Sequence, residues 1–179
     1  MSNFHYCVGL FVPDEIKAYL RTIQKELDLE NYYRRLTHAD DFHITLSFIG
    51  EMKEENLLAL QNQLAQLTFP EMTFRLTDIK GFGSGHPPRV VYAGVETQPT
   101  LEKLEEDVYR VTSQYQADRK SPFVPHITLA KRVRHADEVQ FSGKLEGEWT
   151  AQEMSLFRVH KGKQPSYESI ATFDGKGEV

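Results

Sequence analysis

The tetrapeptide His-Ile-Thr-Leu occurs twice in this chain, from His43 to Leu46 and from His126 to Leu129. Both copies lie in apolar, β-branched runs that favour the pleated geometry of a strand. Side chains at i and i+2 of a strand share a face. His43 and Thr45 are therefore expected to point one way while Ile44 and Leu46 face a core. His126 and Thr128 are expected to repeat the arrangement, with Ile127 and Leu129 inward. The fold must then hold two strands that are apolar on one face and open on the other. Each open face offers an imidazole and a hydroxyl. Together they supply a general acid, a general base and two hydroxyl donors for one anionic group, which is much of what phosphodiester cleavage needs. The plain alternative is two core strands with incidental histidines.

Helical periodicity appears in three stretches. Ile16, Tyr19, Leu20, Ile23 and Leu27 form one apolar stripe, opened by Pro13-Asp14; Leu57, Leu60, Leu64 and Leu67 form a second. Leu101, Leu104, Val108, Val111 and Tyr115 form a third, with Thr97 and Pro99 as start signals. Strand-like runs cover Tyr6–Val12, His43–Ile49, Met72–Ile79, Val90–Val95, His126–Lys131, Glu153–Val159 and Tyr167–Phe173. The order strand, helix, His-Thr strand occurs twice, the second time from about Arg89. It reads as an internal duplication whose clearest trace is the tetrapeptide. Two similar halves facing each other would bring His43 and His126 to one cleft. Helices laid on antiparallel sheets give an α+β class, and no linker marks a boundary, so residues 1–179 are expected to form a single bilobed domain.

The 179 residues carry a net charge of −5, which argues against broad binding to duplex nucleic acid. It leaves room for a small phosphate site. Basic residues cluster at Arg34-Arg35, at Arg119-Lys120, and at Lys131-Arg132 with Arg134. The last two clusters flank the second tetrapeptide, and Arg and Lys are the usual phosphate partners. A single cysteine, Cys7, rules out an internal disulfide and fits a reducing compartment. Its apolar run suits a buried thiol better than a nucleophile. The first residues lack the pattern of a signal peptide, and no apolar run approaches membrane-spanning length. A cytoplasmic monomer with no membrane association is expected. The Gly81–Pro88 segment reads as a loop and lacks the Gly-Lys-Ser/Thr of a P-loop. Metal-ligand signatures such as His-Glu-x-x-His are absent, as is Gly-x-Ser-x-Gly. Neither a metal nor another cofactor is expected.

Asp41-Phe-His-Ile-Thr-Leu-Ser-Phe-Ile-Gly50 and Phe123-Val-Pro-His-Ile-Thr-Leu-Ala130 resemble the two motif blocks of the 2H phosphoesterase superfamily. More narrowly, they resemble those of the bacterial RNA 2′,3′-cyclic phosphodiesterases, also called 2′-5′ RNA ligase-like proteins. Phe11-x-Pro13, Pro88–Val95 and Tyr167-Glu168 lend support along nearly the whole chain. The resemblance implies a duplicated bilobed fold: two antiparallel sheets, helices outside, and a central active-site groove. It implies metal-free hydrolysis of RNA 2′,3′-cyclic phosphate ends to 2′-phosphomonoesters, with His43 as general acid and His126 as general base. Thr45, Thr128, Lys131, Arg132 and Tyr167 are the candidate substrate-binding residues. Where the family often carries Arg five residues before its second His, this chain has Ser121. Arg119, Lys120, Lys131 and Arg132 are the candidates to replace it. Partners would be RNA ends or small cyclic phosphodiesters. The alternatives are a phosphodiesterase for a small cyclic nucleotide such as ADP-ribose cyclic phosphate, or an RNA-end-binding module without turnover.

Overall fold

The computed structural model describes residues 3–115, 117–119 and 122–177. Two antiparallel sheets face each other. The first holds β1 (Asn3–Phe11), β3 (His43–Lys53), β8 (Met154–Val159) and β9 (Tyr167–Phe173) in the order β3-β1-β8-β9. The second holds β2 (Tyr33–Leu36), β4 (Met72–Phe82), β5 (Val90–Val95), β6 (His126–Val133) and β7 (Glu148–Ala151) in the order β2-β6-β5-β4-β7. The helices are α1 (Asp14–Glu26), the one-turn α2 (Leu29–Tyr32), α3 (Leu57–Ala65) and α4 (Pro99–Thr112). The three apolar stripes become α1, α3 and α4, and Pro99 sits in the first turn of α4, where its missing N–H is not needed. Among the described residues, no helix is long and apolar enough to cross a membrane.

The bilobed, two-sheet architecture expected from the sequence is present, but the lobes are not the two halves of the chain. The second sheet takes β2 and β4 from the first half, while β8 and β9 return to complete the first sheet. The short β2, α2 and β7 carry no periodic signal in the sequence. They are too brief to show an alternation.

The helices are exchanged as well. α1, which lies between β1 and β3 in sequence, packs against β6; α4, between β5 and β6, packs against β3. Two bulges fix these contacts. Pairing slips between Val8 and Gly9 on β1 against Ser47 and Thr45, and between Val91 and Tyr92 on β5 against Ala130 and Thr128. Leu46 and Leu129 are thus the extra residues of two equivalent β-bulges, each just after its His-Thr pair. A bulged residue leaves the ladder. The Leu129 carbonyl is satisfied instead by Thr37 N–H at 3.0 Å and by Nε2 of the buried Gln24 on α1 at 2.9 Å. At the first bulge, buried Ser47 shares a hydroxyl hydrogen bond of 2.7 Å with Thr112 of α4. Ile44, Leu46, Ile127 and Leu129 all enter one apolar core that includes residues of both sheets. Burial of each such side chain contributes about 1.5–3 kcal/mol. His43, Thr45, His126 and Thr128 stay half-buried on the opposite face, as the alternation requires.

Candidate active site

His43 opens β3 directly after a 3₁₀ turn (Ala39–Asp41) that His38 caps by accepting from Asp40 N–H. Its Nδ1 lies 2.6 Å from the Asp41 carbonyl oxygen, two residues back. His126 opens β6 and repeats the contact: its Nδ1 lies 2.7 Å from the Val124 carbonyl oxygen. A carbonyl only accepts, so in both rings it is Nδ1 that carries the proton toward it. His43 Nε2 is 2.9 Å from Thr45 Oγ1. β3 and β6 run side by side across the lobes, and a charge on His126 is felt at His43. The structure therefore brings the two His-Thr strands into contact.

Each imidazole rests on an aromatic pair. The His43 ring lies 4.5 Å from Tyr167 and 5.6 Å from Phe157; the His126 ring lies 5.0 Å from Phe82 and 5.1 Å from Tyr92. These contacts restrict ring rotation, which favours a fixed proton-transfer geometry. Room for the His43 ring depends on Gly9, opposite Thr45 on β1. A Cβ there would meet the Ile44 carbonyl oxygen at 2.7 Å and His43 Cδ2 at 3.1 Å. Asp41 ties the last strand to this corner. Its buried carboxylate accepts from Ser166 N–H at 2.8 Å and from Tyr167 N–H at 3.0 Å.

Burial lowers the pKa of His43 below its ordinary value. The Asp41 carbonyl and the Asp41 charge oppose the shift, while His126 and Lys131 reinforce it. His43 is accordingly neutral in the free protein at neutral pH. Folding binds less proton here, so this contribution to stability is lost as pH falls from about 6.5 through the lowered value. Nitrogen and proton NMR of the imidazoles should find His43 titrating below about 6.5, with its proton on Nδ1. Titration above that value, or the Nε2–H tautomer, would contradict the buried, carbonyl-locked ring.

Tyr167 is held as a neutral phenol, its pKa raised by burial and by the Asp41 charge against the opposing Arg35. The Cys7 thiol is buried and its pKa is pushed up to about 12 by desolvation, against a hydrogen bond with Thr45. That is a packed thiol beneath the site, unsuited to nucleophilic attack. Lys131 is on β6 beyond the bulge, and its charge reaches His43. Arg132 follows it in the left-handed region, φ 63°, and is exposed. Among the described residues, no contact ties Arg132 to either histidine. Arg119 is withdrawn: it makes a two-pronged pair with the buried Glu105, at 2.8 and 3.1 Å. Lys120 and Ser121 lie outside the described residues. Of the remaining histidines, His86 is exposed near Gln140 and His160 faces Glu168.

Asp41, Gly9, Phe157, Phe82 and Tyr92 shape the site without standing out in the sequence. Only Asp41 leaves a signal there, two residues before His43. Among the described residues, no group of three or more His, Cys, Asp or Glu is placed to hold a metal ion.

A family model described as LigT-like phosphoesterase matches residues 10–92. The chain is 32% identical over 186 residues to an RNA 2′,3′-cyclic phosphodiesterase of Thermus thermophilus, covering 95% of this chain and 89% of that protein. A second protein of that name, from Geobacillus stearothermophilus, is 26% identical over 182 residues; the match takes 97% of this chain and spans 58% of the relative's length. Among solved structures, the protein TT0787 of Thermus thermophilus superposes with a TM-score of 0.78 at 28% identity, covering 98% of this chain and 100% of that one.

Proposed function

Because the chain belongs to the LigT-like 2H phosphoesterase family, we propose that it hydrolyses RNA 2′,3′-cyclic phosphate ends to 2′-phosphomonoesters. The observation that carries this reading is the matched pair of imidazoles, each held by a carbonyl at Nδ1. A cyclic phosphodiester placed between them meets one proton-transfer group on each side of phosphorus. His126 Nε2 removes a proton from water as its oxygen bonds to phosphorus. The bond from phosphorus to O3′ breaks, and His43 Nε2–H delivers the proton to the departing oxygen. One water is consumed and the ring opens. His43 is neutral before binding, so its acid form depends on the substrate: the phosphodiester anion favours the imidazolium that burial disfavours. Thr45, Thr128 and the Tyr167 phenol are the neutral donors for the non-bridging oxygens, and Lys131 and Arg132 are the cations assigned to the phosphate. No step calls on a metal ion. We read residues 1–179 as one bilobed domain acting as a cytoplasmic monomer.

Digestion of a cyclic-phosphate-ended oligoribonucleotide in excess EDTA, followed by phosphorus NMR, tests the proposal. The expected result is full turnover to a single 2′-phosphate product. Dependence on an added divalent ion would defeat the metal-free mechanism. A pure 3′-phosphate would reverse which ring oxygen leaves, and a mixture would mean that the groove does not fix the ribose.

A further inference from the structure

Among the described residues, Arg35, Lys131 and Arg132 gather on two adjacent strands, and this bears on how a nucleic acid chain lies at the site. Arg35 on β2 pairs directly with Lys131 on β6. Like charges opposite each other on antiparallel strands destabilise a sheet. Arg132 follows at once, in a backbone conformation that L side chains rarely adopt. Among the described residues, no carboxylate forms an ion pair with Arg35, Lys131 or Arg132. The closest polar partner of Arg35 is the hydroxyl of Ser166, at 3.5 Å. Ser166 is buried, and its own N–H is fixed by Asp41. These charges lie toward the His43 corner: Arg35 reaches Ser166, Asp41 holds the N–H groups of Ser166 and Tyr167, and the Tyr167 ring lies against His43. Cations kept together without a carboxylate partner among the described residues call for an anion from outside.

We propose that Arg35, held beside Ser166, forms a ledge for the phosphate one nucleotide upstream of the cyclic end, so that the RNA chain leaves the site past His43. The inference rests on the phosphodiesterase reading and gives its substrate class: oligoribonucleotide ends rather than free cyclic mononucleotides. The direction also agrees with the proton transfers. In-line attack places water opposite O3′, while the ribose and its upstream chain stay on the side of the leaving oxygen. A chain that exits past His43 puts that oxygen beside the acid.

The test compares kcat/KM on a dinucleotide ending in a cyclic phosphate with kcat/KM on a 2′,3′-cyclic mononucleotide, for the wild type and Arg35→Gln. The wild type is expected to favour the dinucleotide. Arg35→Gln should cut that preference by about tenfold, the scale of one charge-assisted hydrogen bond, and make the salt dependence on the dinucleotide shallower. Arg35→Lys should restore part of both. Equal losses on the two substrates would mean that Arg35 serves the reacting phosphate, and would overturn the ledge. An unchanged preference would overturn it as well. Wild-type protein that turns over the mononucleotide but not the dinucleotide would remove the ledge and the RNA-end substrate, and leave only hydrolysis of a small cyclic phosphodiester standing. Turnover of neither would remove that reading as well.

Discussion

His43→Ala and His126→Ala should each lower cyclic phosphodiesterase turnover by about 10²–10⁴-fold, the usual cost of losing one positioned proton-transfer group. The matched contacts hold the same ring nitrogen, Nδ1, against a backbone carbonyl on each strand. Neither variant should unfold, because both rings are half-buried and stand on the open face while Ile44 and Ile127 hold the strands to the core. Circular dichroism and a denaturation curve would verify that. The double variant sharpens the expectation. Two groups acting in one transition state do not contribute independently, so removing both should cost far less than the product of the single losses. Wild-type-like turnover in either single variant would end the two-histidine mechanism. Multiplicative losses would mean that the two rings act in separate steps.

The residues that could be read from the chain are those whose role depends on local periodicity. His43 and Thr45 share a face because strands alternate, and the same holds for His126 and Thr128. The apolar stripes of α1 and α4 are visible for a related reason, since buried residues such as Ile16, Leu20, Leu101 and Leu104 recur at helical spacing. What escaped depends on tertiary placement. The repeat suggests two self-contained halves, yet α1 and α4 each cover the other unit's His strand. Gln24, buried on α1, looks like an ordinary polar helical residue until the Leu129 carbonyl at the bulge is found beneath it. Arg119 and Lys131 are equally basic in sequence. Only the fold shows that one is taken by Glu105 and that the other faces Arg35. Tyr167 could be named from the resemblance, but its place against His43 is set by a contact from Asp41, far away in sequence.

That contact yields the second large effect. Asp41 is buried, and each carboxylate oxygen accepts one backbone N–H at the entry to β9, from Ser166 and Tyr167. β9 is an edge strand, paired with β8, and Asp41 adds a tie from β3's side to the turn that the Ser166 carbonyl already closes with His160 N–H at 2.7 Å. Asp41→Ala would leave one buried donor, Ser166 N–H, and one half-buried donor, Tyr167 N–H, without this acceptor, at up to about 1–3 kcal/mol each. A loss of about 3 kcal/mol in unfolding free energy is expected, measured by urea denaturation. The backbone carbonyl that holds His43 Nδ1 survives the substitution, so the tautomer should persist. The Tyr167 ring, however, should drift from its 4.5 Å contact with His43. A displacement of about 1 Å at a reacting group costs up to about 10²-fold in rate, and kcat should fall on that scale. Asp41→Asn retains one acceptor oxygen but turns an amide donor toward the other N–H, so it should lie between the wild type and Asp41→Ala in both measurements. Unchanged stability in Asp41→Ala would mean that the β8–β9 ladder alone seats Tyr167. Lost stability with unchanged kcat would separate the anchor from the chemistry and leave Tyr167 without a part in turnover.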